Sequence, residues 1–345
     1  MPNAKRIFIV SDLRLDPGQI FKNNPVRLAK GFIRLGHDVR KFSYHETALA
    51  LSPIKRRSFA RLFCKKKTDS LLVRAIENYK PAIIFVTFVR LLDAETIERM
   101  RQAAPNAVFI GLDIDAWPQL HPGRIETARK LDILLATNDG EFLQLYREAG
   151  VPKCFFMPHT CDPDINRRYD VEEKWKSDIL WTGAIQHNPR RFPGEALRYD
   201  IVNRLSQMPN CALYACCGRP KVVGFNYLYA ISGAHIGLSI NADNNTRLYH
   251  SNRITHYLAG GTCVLAKSVP DSELLFKDGV HLRYFETDDE FFDLADWYLK
   301  HENEREKIAE TGMRWTHEQY NGEKIAGYIL DLIEKGEYKA PWVTG

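Results

Sequence analysis

The sequence predicts an α/β protein built from two Rossmann-like domains facing each other across a cleft. Short apolar runs alternate with helix-period segments through both halves of the chain, and one polar stretch divides the two series. At 345 residues with 45% apolar content, the chain is long for one core and well supplied for two.

The first series reads RIFIV, a helix over residues 26–35, HDVRKFSY, a helix over 71–78, AIIFVTF, a helix over 94–103, AVFIGLD, DILLAT, a helix over 141–148 and KCFFMP. Runs so continuously apolar fit strands covered on both faces, as in parallel sheets. Residues 161–176 are rich in Asp, Arg and Lys and contain Pro163, which reads as an interdomain connection. A second series follows: SDILWTG, a helix over 199–208, CALYACCG, a helical stretch over 225–232, HIGLSIN, the segment 251–273, HLRYF and a helix over 288–300. Residues 307–334 close the chain as helix with a break near 320–322. The boundaries are therefore a first domain over 1–166, a linker over 167–176, a second domain over 177–323, and a closing helix over 324–345 that packs back toward the first domain. Ligands of such sheets gather beyond the carboxyl ends of the strands.

Composition narrows the function. No apolar run reaches the roughly 18 residues of a membrane span, and MPNAKRIFIV is too short for a secretory signal, so a cytoplasmic protein is expected. Seven cysteines without a CxxC pair suggest neither a disulfide framework nor a zinc ribbon, and the group Cys154, His159 and Cys161 begins inside an apolar strand. The net charge of +5 is uneven: residues 51–80 hold nine basic residues against Asp69 and Glu77, a local +7 that leaves −2 elsewhere. With Leu62, Phe63, Leu71 and Leu72 among them, residues 55–74 suit an anionic membrane surface or an anionic acceptor, or form a solvated face. No nucleic-acid motif accompanies them.

Residues 251–273, SNRITHYLAGGTCVLAKSVPDSE, form the most informative unit. Amides at Ser251, Asn252 and Arg253 head a short helix whose dipole favours an anion, and the Arg253 guanidinium adds a charge-assisted contact. Gly260 and Gly261 are expected to end that helix through positive φ before the strand TCVLA. Glu273 caps the next turn or contacts a ligand.

Taken in order, SDILWTG with its following arginines, ALYACCG, HIGLSIN, NRITHYLAGG and the run from PDSELLF to KIAETG resemble a GT-B glycosyltransferase of the spore-maturation, CgeB-like branch within the group 1 glycosyl transferases. The first half is similar more loosely, through a glycine-containing loop over residues 16–19 and the LGHDV segment. The resemblance implies transfer of a sugar from a nucleotide-diphosphate donor, held by the second domain, to a glycan, lipid-linked or protein acceptor held by the first. It implies no cofactor and no metal, the nucleotide sugar being a co-substrate. Candidate donor ligands are Gly183, Arg190, Arg191, Arg198, Ser251, Asn252, Arg253, His256, Gly260, Gly261 and Glu273. Related families place a ribose-binding glutamate where this chain has His256, and an earlier glutamate where it has Asp243, Asn244 and Asn245.

Asp113 and Asp115 follow the strand AVFIGL and, with His121, are the candidate catalytic residues, as an acceptor for the proton of the attacking hydroxyl or as sugar ligands. The same Asp-Ile-Asp also fits a GT-A-like enzyme that chelates a metal. A non-catalytic GT-B-like binding or assembly subunit and a two-domain sugar-nucleotide epimerase are the remaining alternatives.

Overall fold

A computed structural model describes residues 4–13, 24–114, 121–185 and 195–343. The loop over residues 16–19, Asp115, Arg190 and Arg191 fall outside them. The described chain forms two compact units, one made of residues 4–13, 24–158 and 325–338, the other of residues 159–324 and 339–343.

The first unit contains, in order, β1 (Arg6–Ser11), α1 (Asn24–Arg34), β2 (Asp38–Ser43), α2 (Tyr44–Leu51), α3 (Arg57–Phe63), α4 (Lys65–Tyr79), β3 (Ile83–Val86), α5 (Ala94–Ala103), β4 (Val108–Asp113), α6 (Pro122–Arg129), β5 (Ile133–Ala136), α7 (Glu141–Glu148) and β6 (Cys154–Phe156). Its six strands are all parallel in the order β2-β1-β3-β4-β5-β6. The all-apolar stretches IIFV and ILLA are buried along their whole length, because helices cover both faces of a parallel sheet. Residues 325–338 complete this unit: Lys5 meets Glu334 at 3.1 Å, and the Tyr338 hydroxyl donates to the Phe156 carbonyl at 2.8 Å.

The second unit contains β7 (Ser177–Thr182), α8 (Glu195–Ser206), β8 (Cys211–Tyr214), α9 (Phe225–Ser232), β9 (Ala234–Ser239), α10 (Asn252–Ala259), β10 (Cys263–Lys267), β11 (Arg283–Phe285), α11 (Asp288–Lys300) and α12 (Glu302–Gln319). The chain then enters α13 (Gly322–Lys335), most of which belongs to the first unit. Its five parallel strands run β11-β10-β9-β7-β8. The core joins Ile179 and Trp181 of β7 to Leu238, Leu265, Phe285 and Phe291, all 1% exposed or less. Residues 161–176 pack within this unit, where Asp162 and Asn166 are buried and the Cys161 amide donates to the Tyr320 carbonyl at 2.8 Å.

Both sheets place their first strand second in order, so each has a switch point where successive crossovers leave in opposite directions. These lie between β1 and β3 and between β7 and β9. The second sheet is also what a GT-A reading of Asp113 and Asp115 left without a place. Sequence periodicity missed α2, α3 and α6 and began α4 six residues late, at 71 instead of Lys65. The first turn of α4 is Lys65-Lys66-Lys67, which carries no apolar stripe for a periodicity reading to detect.

Candidate functional site

In the second unit, Arg253 joins the two strand ends at the switch point. Its Nε donates to the Thr182 carbonyl at the end of β7 (2.8 Å), and its Nη1 to the Ile240 carbonyl just past β9 (3.1 Å). The guanidinium carbon lies 3.9 Å from the centre of the Trp181 ring, a cation–π geometry. Nη2 makes no hydrogen bond among the described residues and approaches Gly183, where an added Cβ would come within 2.7 Å of it. Any larger residue at 183 would push this nitrogen aside, which gives the glycine of SDILWTG its physical reason. Arg198 also faces Trp181, at 5.8 Å, and donates to the Ala184 carbonyl at 2.8 Å. Burial, with Arg198 nearby, pulls the Arg253 guanidinium below its ordinary pKa. Two like charges against one ring at the carboxyl end of a parallel sheet make a site attractive to an anion.

The loop from Asn241 to His250 fixes the start of α10. Asn241 Nδ2 donates to the Tyr249 carbonyl at 3.0 Å, and its Oδ1 accepts the Ser251 amide at 3.0 Å. The Ser251 amide, expected to face an anion, is therefore taken up by Asn241. Asp243 accepts the Asn245 amide at 2.8 Å and Asn244 accepts the Asn241 amide at 3.1 Å, so the residues in place of the earlier glutamate serve as turn formers. Ser251 Oγ and Asn252 Oδ1 are buried atoms with no hydrogen-bond partner among the described residues, and both stand at the head of α10. A buried polar atom left unpaired costs roughly 1–3 kcal/mol, so this cluster is a place where a polar ligand adds stability.

His256 is 1% exposed, and the Tyr227 hydroxyl lies 3.0 Å from its Nδ1. The ring that replaces a family glutamate is thus engaged with α9. Gly260 corrects the sequence reading: its φ is −82°, and only Gly261 adopts positive φ, at 76°. Gly260 is instead needed for close packing, because a Cβ there would sit 2.4 Å from Ile231 Cγ2. Glu273 is exposed within the 3-10 turn Ser272–Leu274, whose N-cap is Asp271. Sequence reasoning passed over Trp181, Asn241 and Tyr257; the last places its hydroxyl 2.9 Å from Thr182 Oγ1.

In the first unit, Asp113 ends β4 and is 2% exposed. Its Oδ2 accepts from the Tyr146 hydroxyl at 2.7 Å and from Arg124 Nη1 at 3.3 Å. Burial and then the Asp113 charge push the Tyr146 phenol far above its ordinary pKa, so it stays a donor. This carboxylate is committed to a structural network tying β4 to α6 and α7. His121 is exposed and serves as N-cap of α6, its Nδ1 accepting the Gly123 amide at 3.2 Å. At this sheet's switch point the Thr87 hydroxyl donates to Ser11 Oγ at 2.6 Å.

Solved structures match this arrangement over almost all of the chain. HepE from Anabaena, in complex with UDP and glucose, aligns with a TM-score of 0.63 at 10% identity, covering 96% of this chain and 100% of that one. The chain has the GT-B glycosyltransferase fold. Sucrose-phosphate synthase from Thermosynechococcus elongatus shares this GT-B fold with a TM-score of 0.63 at 13% identity, covering 96% and 98%. A glycosyltransferase from Rickettsia africae follows with a TM-score of 0.59 at 12% identity, covering 96% and 98%. Residues 198–331, from Arg198 through α10 into α13, match the family described as glycosyl transferase-like. No curated protein matches the sequence.

Proposed function

We propose that this GT-B protein is a glycosyltransferase that binds a nucleoside-diphosphate sugar at the β7–β9 switch point of its second unit and transfers the sugar to an acceptor hydroxyl without a metal ion. The observation that carries the reading is Arg253, which spans both strand ends and keeps Nη2 for a ligand. Leaving-group departure builds negative charge on the diphosphate, and a guanidinium held by two carbonyls meets that charge without reorganising. The head of α10, with Ser251 Oγ and Asn252 Oδ1, supplies further polar contacts, and Arg198 adds a second cation. UDP is the nucleotide we favour, because HepE carries UDP in its complex. His256, bonded to Tyr227, does not take the ribose role of the family glutamate in this reading, and Glu273, exposed, remains a donor-sugar candidate. Asp113, Asp115 and His121 remain candidates on the acceptor side, with Asp113 acting through Tyr146 and Arg124. The acceptor is a glycan, lipid-linked or protein hydroxyl, and the CgeB-like branch is proposed on the ordered sequence pieces alone. No helix among the described residues is long and apolar enough to cross a membrane, and a cytoplasmic location fits the proposal.

The test is a thermal-shift screen with UDP, GDP, dTDP and CMP, followed by assay of donor turnover with and without EDTA. Stabilisation by one nucleotide class and EDTA-resistant release of that nucleotide are expected. Stabilisation by none of the four sinks the donor assignment, loss of turnover in EDTA sinks metal independence, and interconversion of the sugar on its nucleotide would make the protein an epimerase.

A further inference from the structure

The segment from Leu51 to Lys67 presents an apolar tip inside a basic collar. Leu62 and Phe63 close α3 with 73% and 65% exposure, the two most exposed large apolar side chains of the described residues, and Ile54 adds 45%. Phe59 stacks on Phe63 with centroids 4.3 Å apart, so the two rings form one rigid face, and Ile54, Phe59 and Leu62 line a surface groove with Arg56 and Ser58. Ala60 is the one buried residue of α3 and Phe59 is half-buried, whereas Leu62 and Phe63 are left exposed.

The charge around this tip is uncompensated. Arg56, Arg61, Lys66 and Lys67 are exposed and make no ion pair among the described residues. The acids nearby are already spent: Asp69 is buried against Lys65 at 2.6 Å and the Tyr44 hydroxyl at 2.5 Å, Asp93 takes Lys65 at 2.9 Å, and Glu46 takes Arg57 at 3.5 Å. An apolar tip that cannot be hydrated cheaply, ringed by free cations, is the pattern of a segment that lies in the headgroup layer of an anionic bilayer. Soluble polyanions would neutralise the collar but leave Leu62 and Phe63 in water. A second copy of the chain would cover the tip but bring the same cations face to face.

We propose that α3 and the ends of its two neighbours, α2 and α4, dock the protein on an anionic lipid surface, with Leu62 and Phe63 inserted among the headgroups and Arg56, Arg61, Lys66 and Lys67 against lipid phosphates. The proposal is independent of the sugar-transfer reading and concerns only the first unit. It places the protein where a lipid-borne acceptor would be found.

Flotation of the full chain with vesicles of phosphatidylcholine, with and without phosphatidylglycerol, tests it. The protein should float only with phosphatidylglycerol and be released by salt. Changing Arg56, Arg61, Lys66 and Lys67 together to Gln should weaken partitioning by several hundredfold, about fivefold per cation. The double variant Leu62→Ser, Phe63→Ser should weaken it at least tenfold while keeping the charge, the melting temperature and nucleotide-induced stabilisation. Flotation unchanged in either variant, no flotation with phosphatidylglycerol, retention on soluble polyphosphate without vesicle binding, or a dimer in sedimentation that Phe63→Ser dissolves would each overturn it.

Discussion

Replacing Arg253 by glutamine removes two charge-assisted hydrogen bonds to the Thr182 and Ile240 carbonyls and the contact with the Trp181 ring. Glutamine offers one NH2 where the guanidinium offers a fork, so one carbonyl loses its donor. Bonds to charged groups contribute about 1.5–3 kcal/mol each, and the glutamine NH2 can replace one of the two, so a loss of about 2–3 kcal/mol in unfolding free energy is expected. The effect on ligand is separate. If Nη2 donates to a diphosphate oxygen, its removal costs a further 1.5–3 kcal/mol of binding, roughly 10- to 150-fold in dissociation constant. Isothermal titration with UDP, run beside thermal denaturation of the same samples, separates the two. Arg253→Lys should keep some affinity as a point charge while losing the bridge between strands, so it should melt nearly as low as Arg253→Gln but bind better. A folded Arg253→Gln protein that binds UDP within about twofold of the parent would refute the assignment of this arginine to the anion site.

Other expectations are more local. Gly260→Ala should destabilise by about 1–3 kcal/mol in denaturant titration, because its Cβ meets Ile231 at 2.4 Å, whereas Gly327→Ala, in α13 with nothing within 4 Å, should stabilise by about 0.5–1 kcal/mol. Asp113→Asn should cost about 1.5–3 kcal/mol in the unfolding of the first unit by replacing the charged acceptor shared by Tyr146 and Arg124 with a neutral one, with UDP affinity unchanged in titration. Burial pulls both His250 and His281 down to about 4, so the folded protein keeps them neutral where the unfolded chain takes up protons. Stability should therefore fall as pH drops from about 6.5 toward 4, by at most about 1.4 kcal/mol per pH unit for each, and His250→Gln should remove about half of that slope in urea titrations at stepped pH.

The sheets were legible because burial on both faces writes itself into continuous apolar runs, as in Ile83–Val86 and Ile133–Ala136. Helices whose faces carry charge left no such trace, and α3, which turns Leu62 and Phe63 outward, has no core-facing stripe to read. At the site, Arg253 stood out by type and position at a helix start. Its partners did not: the Thr182 carbonyl lies 71 residues away, and Trp181 reads locally as one more core residue of β7. His256 shows the same limit, since its pairing with Tyr227 spans 29 residues that no local pattern connects. The glycine pair was read as a turn signal, yet at Gly260 what matters is the distance to Ile231.

The first unit is assembled from segments that lie on either side of residues 159–324, with Tyr338 joined to Phe156 across 182 residues of chain. During synthesis from the amino terminus, residues 159–324 are made before the segment 325–338 exists, so the first unit cannot close until the bulk of the second has been built. The bulk of the second unit is therefore available to pack while the first still waits for the buried apolar side chains of Ile325, Ala326, Ile329 and Leu332. Joining segments so far apart in sequence raises the contact order of the first unit, so its closure is expected to be a slow step of refolding.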